Sequence, residues 1–178
     1  KKYIKNLIRL KNIYYNEIAL SNKNGKAIYY YNRFFESAGS SLSNIVKNDS
    51  KWNFSRKLIF KLLFLKVKNF TKYKVSTITL DNFVKNKKIK LIDILKIDIE
   101  GSEYDLLKGA KNSLKKNKIK IILVEIIAKK DSYDKKKKKI FNFLKKRNFT
   151  LVKKANIWSI SLFSNTKGGD YLFINRKY

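Results

Sequence analysis

Apolar and polar positions along this chain fall into alternating strand-like and helix-like stretches. Leu91, Ile92, Ile94, Leu95, Ile97 and Ile99 form a nearly continuous apolar run, which predicts a parallel strand over 91–99 buried on both faces. Leu106, Leu107, Ala110 and Leu114 then recur at helical spacing and predict a helix over 103–116. A strand at 119–127, a lysine-rich helix at 132–147 and strands at 148–154 and 170–176 follow. Upstream, residues 1–10 read as the end of a helix, with Ile4, Leu7 and Ile8 on one side. Residues 12–19 read as a strand, and Ala27–Arg33 as an extended piece after the Asn24-Gly25 turn signal. Residues 36–50 are polar and serine-rich, hence a loop; Val75–Leu80 is a short strand, and Asp81 starts a brief helix. Strands alternating with helices predict an α/β fold, a parallel sheet layered by helices.

The junction between the 91–99 strand and its helix concentrates chemistry. Five of the 13 acidic residues (Asp93, Asp98, Glu100, Glu103 and Asp105) fall within thirteen positions of a chain whose net charge is +30. Alternation puts Lys96, Asp98 and Glu100 on one side of the strand, leading to its exit. In open α/β sheets that end of the strands is where ligands bind. Gly101 allows the sharp turn that follows. Ser102 and Asp105 have the spacing of a capping box, and Gly109, costly inside a helix, predicts close packing. Two readings of Asp98 and Glu100 stand side by side: helix caps or ion-pair partners of nearby lysines, or free carboxylates with a chemical role.

Composition narrows the chemistry. A single domain fits 178 residues with 44% hydrophobic content. With no cysteine there is no disulfide, zinc–thiolate site or cysteine nucleophile. With no histidine, acid–base work falls to carboxylate, lysine, tyrosine or water. No apolar run reaches the roughly 18 residues a membrane-spanning helix needs. Of the 43 basic residues only five are arginine, whereas specific nucleic-acid contacts favour the arginine fork. The lysines are scattered, and the Lys135–Lys139 run reads as a solvated helix face. No specific nucleic-acid partner is expected.

The stretch KIDIEGSEYDLLKGA, followed by a lysine-rich spacer and the strand IKIILVEI, resembles the FkbM family of S-adenosylmethionine-dependent methyltransferases. NEIALSNKNGKAIYYY, AGSSLSN, VSTITLDNFV and GGDYLFIN resemble further family segments in the right order, from about Asn12 to the C-terminus and interrupted mainly at 48–70. The resemblance implies a Rossmann-like methyltransferase sheet, mostly parallel with an antiparallel last strand. The family's opening strand and glycine-rich loop are not visible: none of the six glycines is spaced Gly-x-Gly. The chain begins Lys1-Lys2 and contains no methionine. The expectation is a partial domain lacking the first two strands of the sheet.

The resemblance also implies a mechanism, methyl transfer from S-adenosylmethionine to a hydroxyl of a sugar, glycolipid or secondary metabolite. Two alternatives are a non-catalytic remnant without the cofactor loop and a basic nucleic-acid-binding domain. A carboxylate at the strand tip is the natural base in a chain without histidine, so Asp98 is nominated first and Glu100 second. Lys96 either holds Asp98 ionised or, if it faces the crevice, lowers the pKa of the acceptor. Asp98 and Glu100 holding a divalent cation is a weaker alternative, and no metal is expected. By resemblance alone Ala19, Leu20 and Ser21 flank the cofactor's adenine, a plain strand-to-turn role being the alternative. Ser40 and Ser41, in the family's Ser-Ser loop, either donate to substrate or satisfy backbone. Glu125, at the exit of the next strand, either orients a polar substrate or pairs with lysine. Residues 48–70 form a variable basic amphipathic insertion, whose 51–70 stretch reads either as a helix packed over the substrate crevice or a second subunit, or as a peripheral membrane contact. The expected location is cytoplasmic, with membrane attachment only at the periphery.

Overall fold

A computed structural model of the protein describes residues 12–32, 42, 70–159 and 166–178. The expected helix end at 1–10, all of the 36–50 loop but Leu42, and all of 51–70 but Phe70 lie outside the described residues. The described chain is a mixed α/β structure with two sheets.

The smaller sheet has three strands, β1 (Ala19–Leu20), β2 (Gly25–Asn32) and β3 (Phe70–Ile78), in the order β1-β3-β2. β3 runs parallel to β1 and antiparallel to β2. The 12–19 strand is therefore largely a correction: of those residues Ala19 alone is in a strand. β3 is longer than expected, because all eight residues of β2 pair along it. Gly25 has φ 136°, a conformation that justifies glycine at this turn.

The second sheet contains β4 (Ile92–Ile97), β5 (Ile119–Lys129), β6 (Phe149–Ser159) and β7 (Thr166–Asn175), ordered β4-β5-β7-β6. β4 and β5 are parallel; β7, the last strand in the chain, lies antiparallel to both β5 and β6. Three of the four strands thus share one direction, as expected of a mostly parallel sheet with a reversed last strand. The strands fall into two sheets: the 75–80 segment pairs with β1 and β2 and not with β4.

One face of the larger sheet carries the core. Ile97, Ile122, Val124, Ile126, Tyr171 and Phe173 are buried there. Helix α1 (Leu80–Asn86) lies on the approach to β4, and α2 (Glu103–Gly109), α3 (Lys111–Lys115) and α4 (Lys130–Lys145) follow. They supply Leu107, Leu114, Ile140 and Leu144 to the same core. Phe141 meets Tyr171 and Phe173 edge-on at 5.0 and 5.1 Å, a favoured aromatic geometry. The buried hydroxyls of Tyr133 and Tyr171 satisfy each other at 2.7 Å.

Burial of β4 on both faces is not what forms. Ile94 is 64% exposed, on the face of β4 opposite the buried Ile97. The expected 103–116 helix is also broken, at Ala110. Asp81, from α1, accepts from the backbone N–H of Asn112 and of Ser113 at 2.8 and 2.7 Å. An uninterrupted helix would commit those N–H groups to its own carbonyls. Asp81 therefore caps a new helix, α3, where the sequence pattern alone continues the old one.

Candidate active site

The strand β4 delivers Lys96 and Asp98 to the open end of the larger sheet, and its parallel partner β5 delivers Glu125. Ile97 is in register with Val124, so one step further along brings Asp98 level with Glu125. The two carboxyl groups share a hydrogen bond. Lys96 closes the other side, its Nζ donating to Asp98 Oδ2 at 2.9 Å. Glu100 and Asp170 complete the acidic edge: Glu125 is cross-strand partner to Asp170, and both carboxylates bear on its charge.

Two carboxyl groups in contact cannot both ionise cheaply. Burial, the hydrogen bond to Asp98 and then the charges of Asp98, Glu100 and Asp170 push Glu125 up to about 8. Asp98 is held below the usual carboxylate range by the hydrogen bond from Glu125 and by Lys96. Lys96 is raised in turn, chiefly by its hydrogen bond to Asp98. At neutral pH the pair therefore holds one proton, with Glu125 donating to an ionised Asp98, and its second deprotonation belongs to the pair as a unit. Glu125 was expected to meet lysine or substrate; its partner is Asp98. The Asp98–Glu125 contact spans 27 residues of sequence that no local pattern connects.

A stability prediction follows from these shifts. Glu125 binds its proton more tightly folded than unfolded, so its contribution is full below its ordinary value of 4.5 and is lost as pH rises through about 8. Asp98 acts in the opposite sense: its contribution is present above the ordinary carboxylate range and is lost as pH falls through its depressed value. Glu125→Gln keeps a donor to Asp98 and removes the titration. Urea denaturation should find it more stable than wild type at pH 9 by on the order of 1 kcal/mol, after discounting for solvent screening at a half-buried group. The gap should narrow steadily as pH falls toward 4.5, where Glu125 is protonated folded and unfolded alike; a gap that does not change with pH would show that the carboxyl contact is not the cause.

The turn leaving β4 is held in an uncommon conformation. Glu100 has φ 50° and Gly101 φ 109°. The first costs a non-glycine residue roughly 1 kcal/mol; the second confirms the expected need for glycine. Ser102 does not cap α2 with its side chain, contrary to the capping-box reading. Glu103 turns inward instead. It is fully buried, accepts from the Gly101 N–H and pairs with Lys136 of α4. Asp105 remains at the surface, pairing with Lys108 at 2.6 Å and accepting from Asn22 at 3.1 Å.

The other candidate residues lie elsewhere. Ser21 donates its N–H to Ile78 at 2.9 Å. Its carbonyl oxygen lies against Gly109, where an added Cβ would sit 2.1 Å away. Ala19 and Leu20 pair with β3 and Ser21 lies against α2, the close approach expected of Gly109. Ser40 and Ser41 lie outside the described residues. A hollow of about 460 Å³ is formed on β2 and β3 by Lys26, Ala27, Ile28, Lys72, Tyr73 and Lys74, none of them a candidate site residue. Among the described residues no group of three or more His, Cys, Asp or Glu side chains is placed to hold a metal ion. No helix among them is long and apolar enough to cross a membrane.

With that geometry in place, comparison with known proteins is informative at the family level. The family model for the methyltransferase FkbM domain matches residues 2–151. The chain belongs to the FkbM methyltransferase family. The match covers the whole strand–turn–helix unit that carries Lys96, Asp98 and Glu100, as well as Glu125 and Lys136. It makes the chain a methyltransferase by family. No curated protein and no solved structure matches the chain.

Proposed function

We propose that the protein is an S-adenosylmethionine-dependent O-methyltransferase acting on a hydroxyl of a sugar, glycolipid or secondary metabolite. The observation that carries this reading is the Asp98–Glu125 carboxyl pair at the exits of β4 and β5, inside a chain of the FkbM family. The Rossmann-like arrangement belongs to the same proposal. It is supported by the order β4-β5-β7-β6 with a reversed β7, and by the end position of β4, which leaves room for further strands beside it.

S-adenosylmethionine supplies an electrophilic methyl group on a cationic sulfur. The acidic edge of Asp98, Glu100, Glu125 and Asp170 is the part of the described chain whose charge suits that cation, against a background of +30. The acceptor hydroxyl loses its proton as the new O–C bond forms, and a carboxylate within hydrogen-bond reach receives it. Singly protonated, the pair is a poor acceptor because Asp98 is held low. Doubly ionised it accepts a proton with an affinity set near 8. Lys96 keeps Asp98 charged and positioned. Glu125 thereby moves from a substrate-orienting role to a shared one with Asp98, and Glu100 contributes charge to the same edge.

Adenosine recognition has less support: Ala19, Leu20 and Ser21 are engaged with β3 and α2. That observation favours the second reading, a family member that keeps the carboxyl pair without holding cofactor. Calorimetric titration of S-adenosylhomocysteine into the 178-residue chain separates the two. Saturable binding tighter than about 1 mM, worth about 4 kcal/mol, is expected of the enzyme. Absence of binding at that concentration would overturn the enzymatic reading for this chain. Transfer of labelled methyl to a panel of glycan and lipid hydroxyls then identifies the acceptor.

A further inference from the structure

We propose that Lys136 is a positioning residue for the Asp98–Glu125 pair, tying the turn that carries one carboxylate to the strand that carries the other. Its catalytic significance rests on the methyltransferase reading above; its positioning role does not. Lys136 belongs to the Lys135–Lys139 run expected to face solvent, yet its side chain is only 15% exposed. Its ammonium has three protons to donate, and three acceptors surround it. These are the carbonyl of Gly101 at 2.7 Å, the carbonyl of Ile127 at 2.8 Å and the carboxylate of Glu103.

The identity of those acceptors is what gives the arrangement its meaning. Gly101 closes the turn that begins at Asp98, and both of its backbone polar groups are taken: Glu103 accepts from its N–H at 2.5 Å and Lys136 donates to its carbonyl. Two successive residues of that turn, Glu100 and Gly101, have positive φ. Such a turn persists only where its surroundings hold it. Ile127 lies two residues beyond Glu125 and on the same strand face. The ammonium therefore bridges the two backbone segments whose separation fixes the distance between the Asp98 and Glu125 carboxyls. Neutralising Glu103 alone would need neither carbonyl contact.

The test uses the titration of Glu125 in the whole chain, read by carboxyl carbon NMR with labelled glutamate. The sequence has five glutamates, so assignment by single substitution is practical. The groups facing Glu125 are Lys96 and Asp98 of β4 and its exit, Glu100 of the turn and Asp170 of β7. Lys136→Met leaves a lone buried carboxylate and is open to misfolding. The informative variant is therefore Lys136→Met with Glu103→Met, which removes both charges at similar volume. If Lys136 positions the turn, this double variant melts within about 4 °C of wild type while the Glu125 midpoint falls from near 8 by one unit or more, a tenfold change in proton affinity. Amide exchange at residues 100 and 101 should accelerate with it. An unchanged midpoint in the folded double variant would overturn the proposal and leave Lys136 as a counter-charge for Glu103. Failure of the methyltransferase reading would show separately, as wild-type chain that titrates as described but does not bind S-adenosylhomocysteine.

Discussion

Gly109→Ala should lower the unfolding free energy by roughly 2 kcal/mol and the melting temperature by about 5 °C. Two effects oppose each other. Alanine favours a helix over glycine by about 1 kcal/mol, but Gly109 ends α2, where little of that gain is available. Against it stands a steric conflict: the added Cβ would lie 2.1 Å from the Ser21 carbonyl oxygen and 3.4 Å from the Cα of Thr79. Both obstacles are backbone, so no side-chain rotation relieves them; α2 or the end of β1 must move. Thermal and urea melts of the variant check the magnitude. A variant as stable as wild type would mean that the two elements do not approach this closely. Because α2 begins at the turn after Asp98, the same shift should also disturb the titration of Glu125.

The second large effect concerns chemistry. Asp98→Asn should reduce methyl transfer to the identified acceptor by about 10²- to 10⁴-fold in kcat, the usual worth of a positioned proton acceptor. Binding of S-adenosylhomocysteine should change little. Asparagine preserves shape and removes the charge that both raises Glu125 and pairs with Lys96. The Glu125 midpoint should then fall from about 8 toward the ordinary glutamate value, and the rise of wild-type activity through that pH should vanish. Loss of less than about tenfold would assign Asp98 to charge balance and pass the proton to another group.

Several parts of this protein could be read directly from residue order, and they share a physical basis. The Leu91–Ile99 apolar run, the turn at Gly101 and the recurrence of Leu106, Leu107 and Leu114 are local signals. Each depends on neighbours within a few residues, where side-chain direction follows from backbone period. Hence β4, the turn, α2, β5, α4 and β7 all formed near their expected positions. So did the acidic exit of β4. The family resemblance rests on the same local stretches.

Helical period also placed Lys136 on the face shared by Tyr133 and Ile140. That signal was present, and the surrounding run of lysines outweighed it. What remained was decided by contacts between segments far apart in sequence. Asp81 ended one helix and capped another because α1 packs beside α3. Gly109 met Ser21 because β1 pairs with β3 and not with β4. Glu125 met Asp98 only through the parallel register of β4 and β5. The sequence by itself determined which groups could ionise and which strand would carry them. The tertiary structure alone decided which carboxylate keeps its proton, since that depends on burial and on charges brought together across the sheet.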